Sequence, residues 1–206
     1  GGIVMARKAI NAATAGDHEK ATRFLAREVR GMAAVTHPNI VRLLGVCTER
    51  HKLAILMEYA ELGTLRDRLD EHKTCTCPFD ASRRKGILHG VIKGMLYLHE
   101  QAKPVMHLDL KATNVLVFGD DCLPKLTDFG IATQTGLTSF GARSERGRAG
   151  TIQYQAPELF DDEPTFTAAA DVYAFGILMW ELGNPKHLAP WAGKGEGSVM
   201  RMVVLE

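Results

Sequence analysis

His107-Leu108-Asp109-Leu110-Lys111-Ala112-Thr113-Asn114 lies between two apolar stretches, Val105-Met106 before it and Val115-Leu116-Val117 after it. A carboxylate, an ammonium and a carboxamide therefore leave the core together on one loop. Such a set can accept a proton, neutralise an anion and ligate a hard cation. Fourteen residues past Asn114 comes Asp128-Phe129-Gly130, a second carboxylate at a strand end with a conformationally permissive glycine behind it. Two oxygen ligands from different loops suit Mg²⁺, which takes one or two carboxylates and completes its shell with substrate phosphates. Singly, each residue reads as a solvated turn position; the chemistry lies in the set.

Upstream of this loop, Ile3 to Ile10 is short and β-like, and the polar stretch Asn11 to Asp17 leads into a helical pattern from His18 to Val35. Ala21, Phe24, Leu25, Met32 and Val35 form its apolar stripe. His37-Pro38-Asn39 ends the helix. Ile40 to Val46 and Leu53 to Met57 read as two strands joined by Thr48-Glu49-Arg50-His51. Glu28 sits in the middle of the apolar stripe, one turn after Phe24 and one turn before Met32. A carboxylate there faces the interior and needs a cation. Lys8 on the first strand is the nearest such cation; a local pair with Arg23 or Arg27, or an escape at the stripe edge, is the other reading.

Downstream, composition changes after a connector at Glu58 to Gly63. A short helix spans Thr64 to Glu71, a long one runs from about Ser82 to Glu100, and a hairpin joins Val115–Phe118 to Leu123–Thr127 across Gly119-Asp120-Asp121. Asp128 to Gly150 is a long loop, of the kind that is functional or mobile in a compact domain. Ala168 to Leu182 is a helix whose centre, Val172 to Trp180, is apolar all round, which predicts burial on every side. Strands with one helix come first and helices dominate afterwards. The fold class is α+β in two lobes, with the hinge near residues 58–63.

Composition narrows the function classes. The chain has 206 residues, 46% of them hydrophobic and 24% charged, which excludes disorder as the main state. Lys and Arg number 25 against 24 Asp and Glu, so bulk charge offers nothing to a nucleic-acid partner. Four cysteines, Cys47, Cys75, Cys77 and Cys122, are too few for a disulfide scaffold and point to a reducing, cytoplasmic compartment. No apolar run is long enough for a membrane segment, and both ends look cut from something longer. His72, Cys75 and Cys77 lack a fourth ligand for zinc and read as an interhelix loop. Gly90-x-x-x-Gly94 reads as a packing notch, and Arg143, Arg146 and Arg148 as a basic loop.

Taken in order, these pieces resemble the eukaryotic protein kinase domain. Met5-Ala6-Arg7-Lys8 is similar to the family's V-A-I-K strand, and Glu28 to the glutamate of helix αC. His107 to Asn114 resembles H-R-D-L-K-x-x-N, and Asp128-Phe129-Gly130 is similar to D-F-G. Gly150-Thr151 through Ala156-Pro157-Glu158 resembles the end of the activation segment, and Asp171 to Gly176 the central helix of the large lobe. The pattern His37-Pro38-Asn39-Ile40-Val41 with Leu43-Leu44-Gly45-Val46-Cys47 is similar to the tyrosine-kinase-like group of Ser/Thr kinases.

The resemblance implies a bilobal fold with an N-lobe part at 1–57, a hinge at 58–63 and a C-lobe part at 64–206. It implies transfer of the ATP γ-phosphate to Ser/Thr hydroxyls of a protein substrate, with Mg²⁺. Lys8 grips phosphates and pairs with Glu28. Met57 is the gatekeeper, and Glu58, Tyr59 and Ala60 bond adenine through their backbone. Asp109 accepts the hydroxyl proton, Lys111 sits by the γ-phosphate, and Asn114 and Asp128 hold the metal. Thr151 is expected to bond near Asp109 and Lys111.

Three departures from the family stand beside this. No G-x-G-x-x-G precedes Lys8, the chain stops shortly after the central helix, and Leu108 replaces the arginine before Asp109. The rival reading is a pseudokinase-like scaffold, or a truncated fragment without function. The missing glycine loop favours the rival; the six intact polar residues favour the enzyme.

Overall fold

The computed structural model describes residues 4–10, 15–49, 52–71, 80–128, 133–134, 151–184 and 188–205. Strand β1 (Met5–Ala9) turns Ala6 and Lys8 to its half-buried side and Met5, Arg7 and Ala9 to solvent, the period of two that a pleated strand imposes. It pairs antiparallel with β3 (Ala54–Glu58), placing Lys8 opposite Ile55, and β2 (Leu43–Cys47) pairs with the other side of β3. The order β1-β3-β2 puts the most apolar strand in the centre, where Ala54 and Ile55 are fully buried.

Helix α1 (Ala15–Ala33) packs on this sheet along the line Ala21, Leu25, Glu28, Met32, with Val35 just beyond the helix continuing it. The alternating spacing of four and three residues makes a narrow seam. Phe24 lies one position off that seam and is 44% exposed, so the buried stripe is narrower than the sequence suggested. The strand expected over Ile40 to Val46 also begins later. Ile40 and Val41 leave the sheet and join β6 (Leu123–Leu126): the Val41 amide donates to the Leu126 carbonyl at 2.9 Å, and Leu126 donates back to Asn39 at 2.9 Å. An apolar run signals burial without saying against which partner, and here two partners share one run.

Helices dominate the second half. Helix α2 (Leu65–Glu71) is followed by α3 (Ala81–His99), whose first turn is capped by Asp80 accepting from the Arg83 amide at 2.8 Å. The expected packing notch on α3 is present. A Cβ on Gly90 would lie 2.4 Å from the Pro124 ring and 2.7 Å from Asn39 Nδ2. Strand β4 (Val105–Met106) pairs with β7 (Thr133–Gln134), which falls inside the long loop, and β5 (Val115–Phe118) forms the hairpin with β6. Helix α4 (Ala168–Gly183) starts at its cap Thr167, and α5 (Glu196–Leu205), which the sequence reading passed over, packs against short 3-10 turns at Ile152–Tyr154 and Pro157–Leu159.

Helix α4 corrects one expectation. Val172, Met179 and Trp180 are 64%, 48% and 51% exposed, while Asp171 and Glu181 are buried on the opposite face with Ala174, Leu178 and Leu182. Its apolar composition allowed burial all round, but its packing is mainly against α3 and the 152–154 turn, which leaves the face of Val172, Met179 and Trp180 uncovered. Among the described residues no helix is long and apolar enough to cross a membrane. The cluster His72, Cys75, Cys77 and the basic residues Arg143, Arg146 and Arg148 lie outside the described residues.

Candidate active site

The seam of α1 delivers Glu28 to the interior, 1% exposed. Lys8 reaches it: Nζ donates to Glu28 Oε1 at 2.7 Å and to Asp128 Oδ1 at 2.5 Å. Of the partners considered for Glu28, Arg23 instead bonds Glu19 on the helix surface. Burial works to lower the Lys8 pKa, but the hydrogen bonds and charges of Asp128 and Glu28 outweigh it and leave the ammonium above its ordinary value. Glu28 Oε2 is buried and accepts no hydrogen bond from any described residue.

The loop at 107–114 is a closed network. Lys111 Nζ donates to Asp109 Oδ2 at 2.8 Å and to Thr151 Oγ1 at 2.6 Å. Asn114 Nδ2 donates to the Asp109 carbonyl at 2.8 Å and to Oδ2 at 2.9 Å. The Thr151 amide donates to Asp109 Oδ1 at 3.0 Å, and its hydroxyl lies 3.2 Å from the same oxygen. Asp109 thus receives two donors on each carboxylate oxygen, which is the full acceptor capacity of the group. Thr151 stands where the sequence expected it.

Three further residues hold this loop, and sequence reasoning assigned them no such role. Asp171, 1% exposed at the start of α4, accepts the His107 amide at 2.9 Å on Oδ2, the Leu108 amide at 2.8 Å on Oδ1, and His99 Nε2 at 2.8 Å on Oδ2. His107 is fully buried; its Nε2–H donates to the Thr127 carbonyl at 3.0 Å, so Nδ1 is the acceptor for the Asp109 amide at 3.3 Å. The ring ties the loop to the residue before Asp128. Leu108 has φ +61°, a left-handed conformation that a leucine adopts only when its surroundings hold it there. Its side chain packs with Met106, Ala156, Leu159 and Ala170. The signals available for Asp171 were its place at the head of the Asp171 to Gly176 motif and an acid opening a largely apolar helix.

The connector residues are spread between core and surface. Met57 is 6% and Ala60 9% exposed, while Tyr59 is 48% exposed. The Glu58 amide donates to the Arg42 carbonyl at 3.2 Å, and its carboxylate accepts from the Arg42 amide at 2.7 Å and from Lys125 Nζ at 2.6 Å. The Thr127 amide donates to the Asn114 carbonyl at 3.0 Å, extending the β5–β6 ladder by one rung and setting Asp128 next in chain to the residue paired with Asn114. Asp128 is also left-handed, φ +66°; Phe129 and Gly130 lie outside the described residues. Both amide hydrogens of Asn114 are committed to Asp109, and among the described residues its carboxamide oxygen accepts no hydrogen bond. One amide oxygen and one carboxylate make a hard-oxygen pair. Among the described residues no group of three or more His, Cys, Asp or Glu could form an all-protein cage. That donor set fits Mg²⁺, which borrows the rest of its shell from water and phosphate.

Comparison with known proteins agrees with this geometry. The family described as protein kinase domain matches residues 1–204. The chain is 36% identical over 185 residues to the serine/threonine-protein kinase CTR1 of Arabidopsis thaliana, covering 90% of this chain and 21% of that protein. It is 38% identical over 156 residues to the Arabidopsis thaliana serine/threonine-protein kinase PBL27, covering 75% of this chain and 30% of that one. Chitin elicitor receptor kinase 1 of the same plant is 37% identical over 171 residues, covering 82% and 26%. The chain therefore spans between a fifth and a third of these three proteins. With a family match across nearly all of its length and the motif side chains bonded to one another in space, the chain belongs to the protein kinase family.

Proposed function

We propose that this chain is the catalytic unit of a Ser/Thr protein kinase that transfers the γ-phosphate of ATP to hydroxyls of a protein substrate, with residues 1–57 and 64–206 as its two lobes and 58–63 as the hinge. The observation that carries the reading is the paired geometry of the two lysines. Lys8 joins Glu28 to Asp128, and Lys111 joins Asp109 to Thr151. Phosphoryl transfer asks for positioned charge rather than covalent chemistry, and these two ammonium groups supply it.

Lys8 exchanges Asp128 for phosphate oxygens while Glu28 keeps its orientation. Met57 closes the back of the adenine site, and Tyr59 flanks it. Because the Glu58 amide is bonded to Arg42 and the Ala60 carbonyl to Gly63, the Glu58 carbonyl and the Ala60 amide are the connector groups that recognise adenine. Asn114 and Asp128 hold Mg²⁺, which when bound neutralises charge on the phosphate oxygens. Asp109 orients the acceptor hydroxyl and takes its proton. Of its four bonds, the 3.2 Å contact from the Thr151 hydroxyl is the longest and rotates freely, so it is the one that yields to the incoming hydroxyl. Lys111 balances the charge on the acceptor side. The free thiols of Cys47 and Cys122 support an intracellular, reducing location.

The test is phosphoryl transfer by the full-length protein from ATP and Mg²⁺ to a generic peptide, followed by identification of the modified residue. The expected outcome is phosphoserine or phosphothreonine, with Asp109→Asn lowering turnover about 10²–10⁴-fold while nucleotide still binds. A protein that binds nucleotide and transfers nothing is the scaffold instead.

A further inference from the structure

Away from the residues that face the reactants, α2 and α4 share a buried ionic network. Glu181 on α4 is fully buried. Its Oε1 accepts from Arg66 NH1 of α2 at 2.5 Å, and its Oε2 accepts the Tyr154 hydroxyl. Arg66 is held from its other side as well: Nε and NH2 bond the two Asp70 oxygens at 2.9 and 2.8 Å. Burial lifts the Glu181 carboxyl above its ordinary range against the opposing pull of Tyr154 and Arg66, and it pushes the Tyr154 phenol upward, assisted by the Glu181 charge.

The network has two ends of different kind. At one end α2 is fixed just past the connector: the Val117 amide donates to the Gly63 carbonyl at 2.9 Å, and Thr64 donates twice to Asp67 Oδ2, at 2.8 and 2.7 Å. At the other end Tyr154 belongs to the turn whose amide donates to the Thr151 carbonyl at 2.8 Å, and Thr151 is bonded to Asp109 and Lys111. A bidentate guanidinium, a carboxylate with both oxygens occupied and a phenol form a chain in which each member has few other geometries available.

Resting on the kinase reading, we infer that Arg66 is a positioning residue for the acceptor side of the reaction: through Glu181 and Tyr154 it sets the height of Thr151 over Asp109. It touches neither reactant. Displacing a positioning group by an ångström can lower a rate about a hundredfold, and the loss here falls on the peptide, because the network leads through Thr151 to Asp109 and Lys111 and makes no bond to Lys8 or Asp128.

The experiment uses the full-length protein with Arg66→Met, Tyr154→Phe and the double variant, measuring KM for peptide, KM for ATP and turnover. Each single change is expected to lower peptide kcat/KM roughly tenfold to a hundredfold, with KM for ATP within about twofold of the unaltered protein. The double variant is expected to be no worse than the poorer single, since both act through one carboxylate. Multiplying losses, or equal shifts in the two KM values, overturn the inference. Should Arg66→Met fail to fold, Arg66→Lys keeps one bond to Glu181 and is expected to fall between, whereas Arg66→Lys matching the unaltered protein refutes it. An unaltered protein that transfers no phosphate refutes the kinase reading and this inference together; an active one indifferent to Arg66 and Tyr154 refutes this inference alone.

Discussion

Glu28 and Glu181 are both buried on helices, both paired with a cation from another element, and satisfied to different degrees. Glu28 has one bond, from a lysine that is 34% exposed and shared with Asp128, and among the described residues its second oxygen accepts nothing. Glu181 has both oxygens occupied, by a guanidinium and a phenol. A half-satisfied buried carboxylate is held weakly, and a fully satisfied one rigidifies its surroundings. The surroundings agree: α1 lies on β2 and β3, whereas α4 is packed between α3 and the 152–154 turn. The first glutamate is half-satisfied on a helix that packs on the sheet, and the second is fully satisfied on a helix that packs against the 152–154 turn.

The largest expected effect comes from removing the fixed member. Glu181→Ala leaves Arg66 and the Tyr154 hydroxyl without their shared acceptor and is expected to destabilise the fold by about 3–5 kcal/mol, read as the shift of the denaturant midpoint. Lys8→Met breaks the half-satisfied pair. Turnover is expected to fall about 10²–10³-fold, with a stability loss of about 1–3 kcal/mol, because buried Glu28 loses its one donor. Equal stability losses in the two variants would erase the distinction. The smallest effect is alkaline. Lys8 and Tyr154 both hold their protons more tightly in the folded chain than in the unfolded one, so the stability they contribute is complete at lower pH and declines as pH rises above about 10. Tyr154→Phe should flatten that decline more than Lys8→Met, as seen in midpoints collected from pH 8 to about 11.

Much of this comparison was legible before any coordinates. A carboxylate in the centre of an apolar seam announces a buried charge that needs a cation; periodicity left Lys8, Arg23 and Arg27 open as its partner, and the family resemblance implied Lys8. The loop from His107 to Asn114 was legible because three polar types crowd between apolar strands. Glu181 was not, since an acid on an apolar helix carries no mark of the arginine 115 residues earlier that meets it. Phe24 and Val172 were misplaced for a related reason: apolarity states what a side chain tolerates, and the neighbours decide whether it is covered. Ile40 and Val41 looked like strand because burial against β6 leaves the same signature in sequence as burial in a sheet.

The left-handed Leu108 has a consequence in time. Its amide is held by Asp171, 63 residues further along the chain. During synthesis the loop bearing Asp109 is made first and its anchor emerges afterwards, so a leucine in a strained conformation has nothing to hold it until α4 has folded and docked. Contacts this distant in sequence close late, because the intervening loop entropy comes before the bond. The hydrogen-bond network at Asp109 is therefore among the last features the chain acquires, and a nascent domain whose sheet and α3 are already formed still presents an unset 107–114 loop.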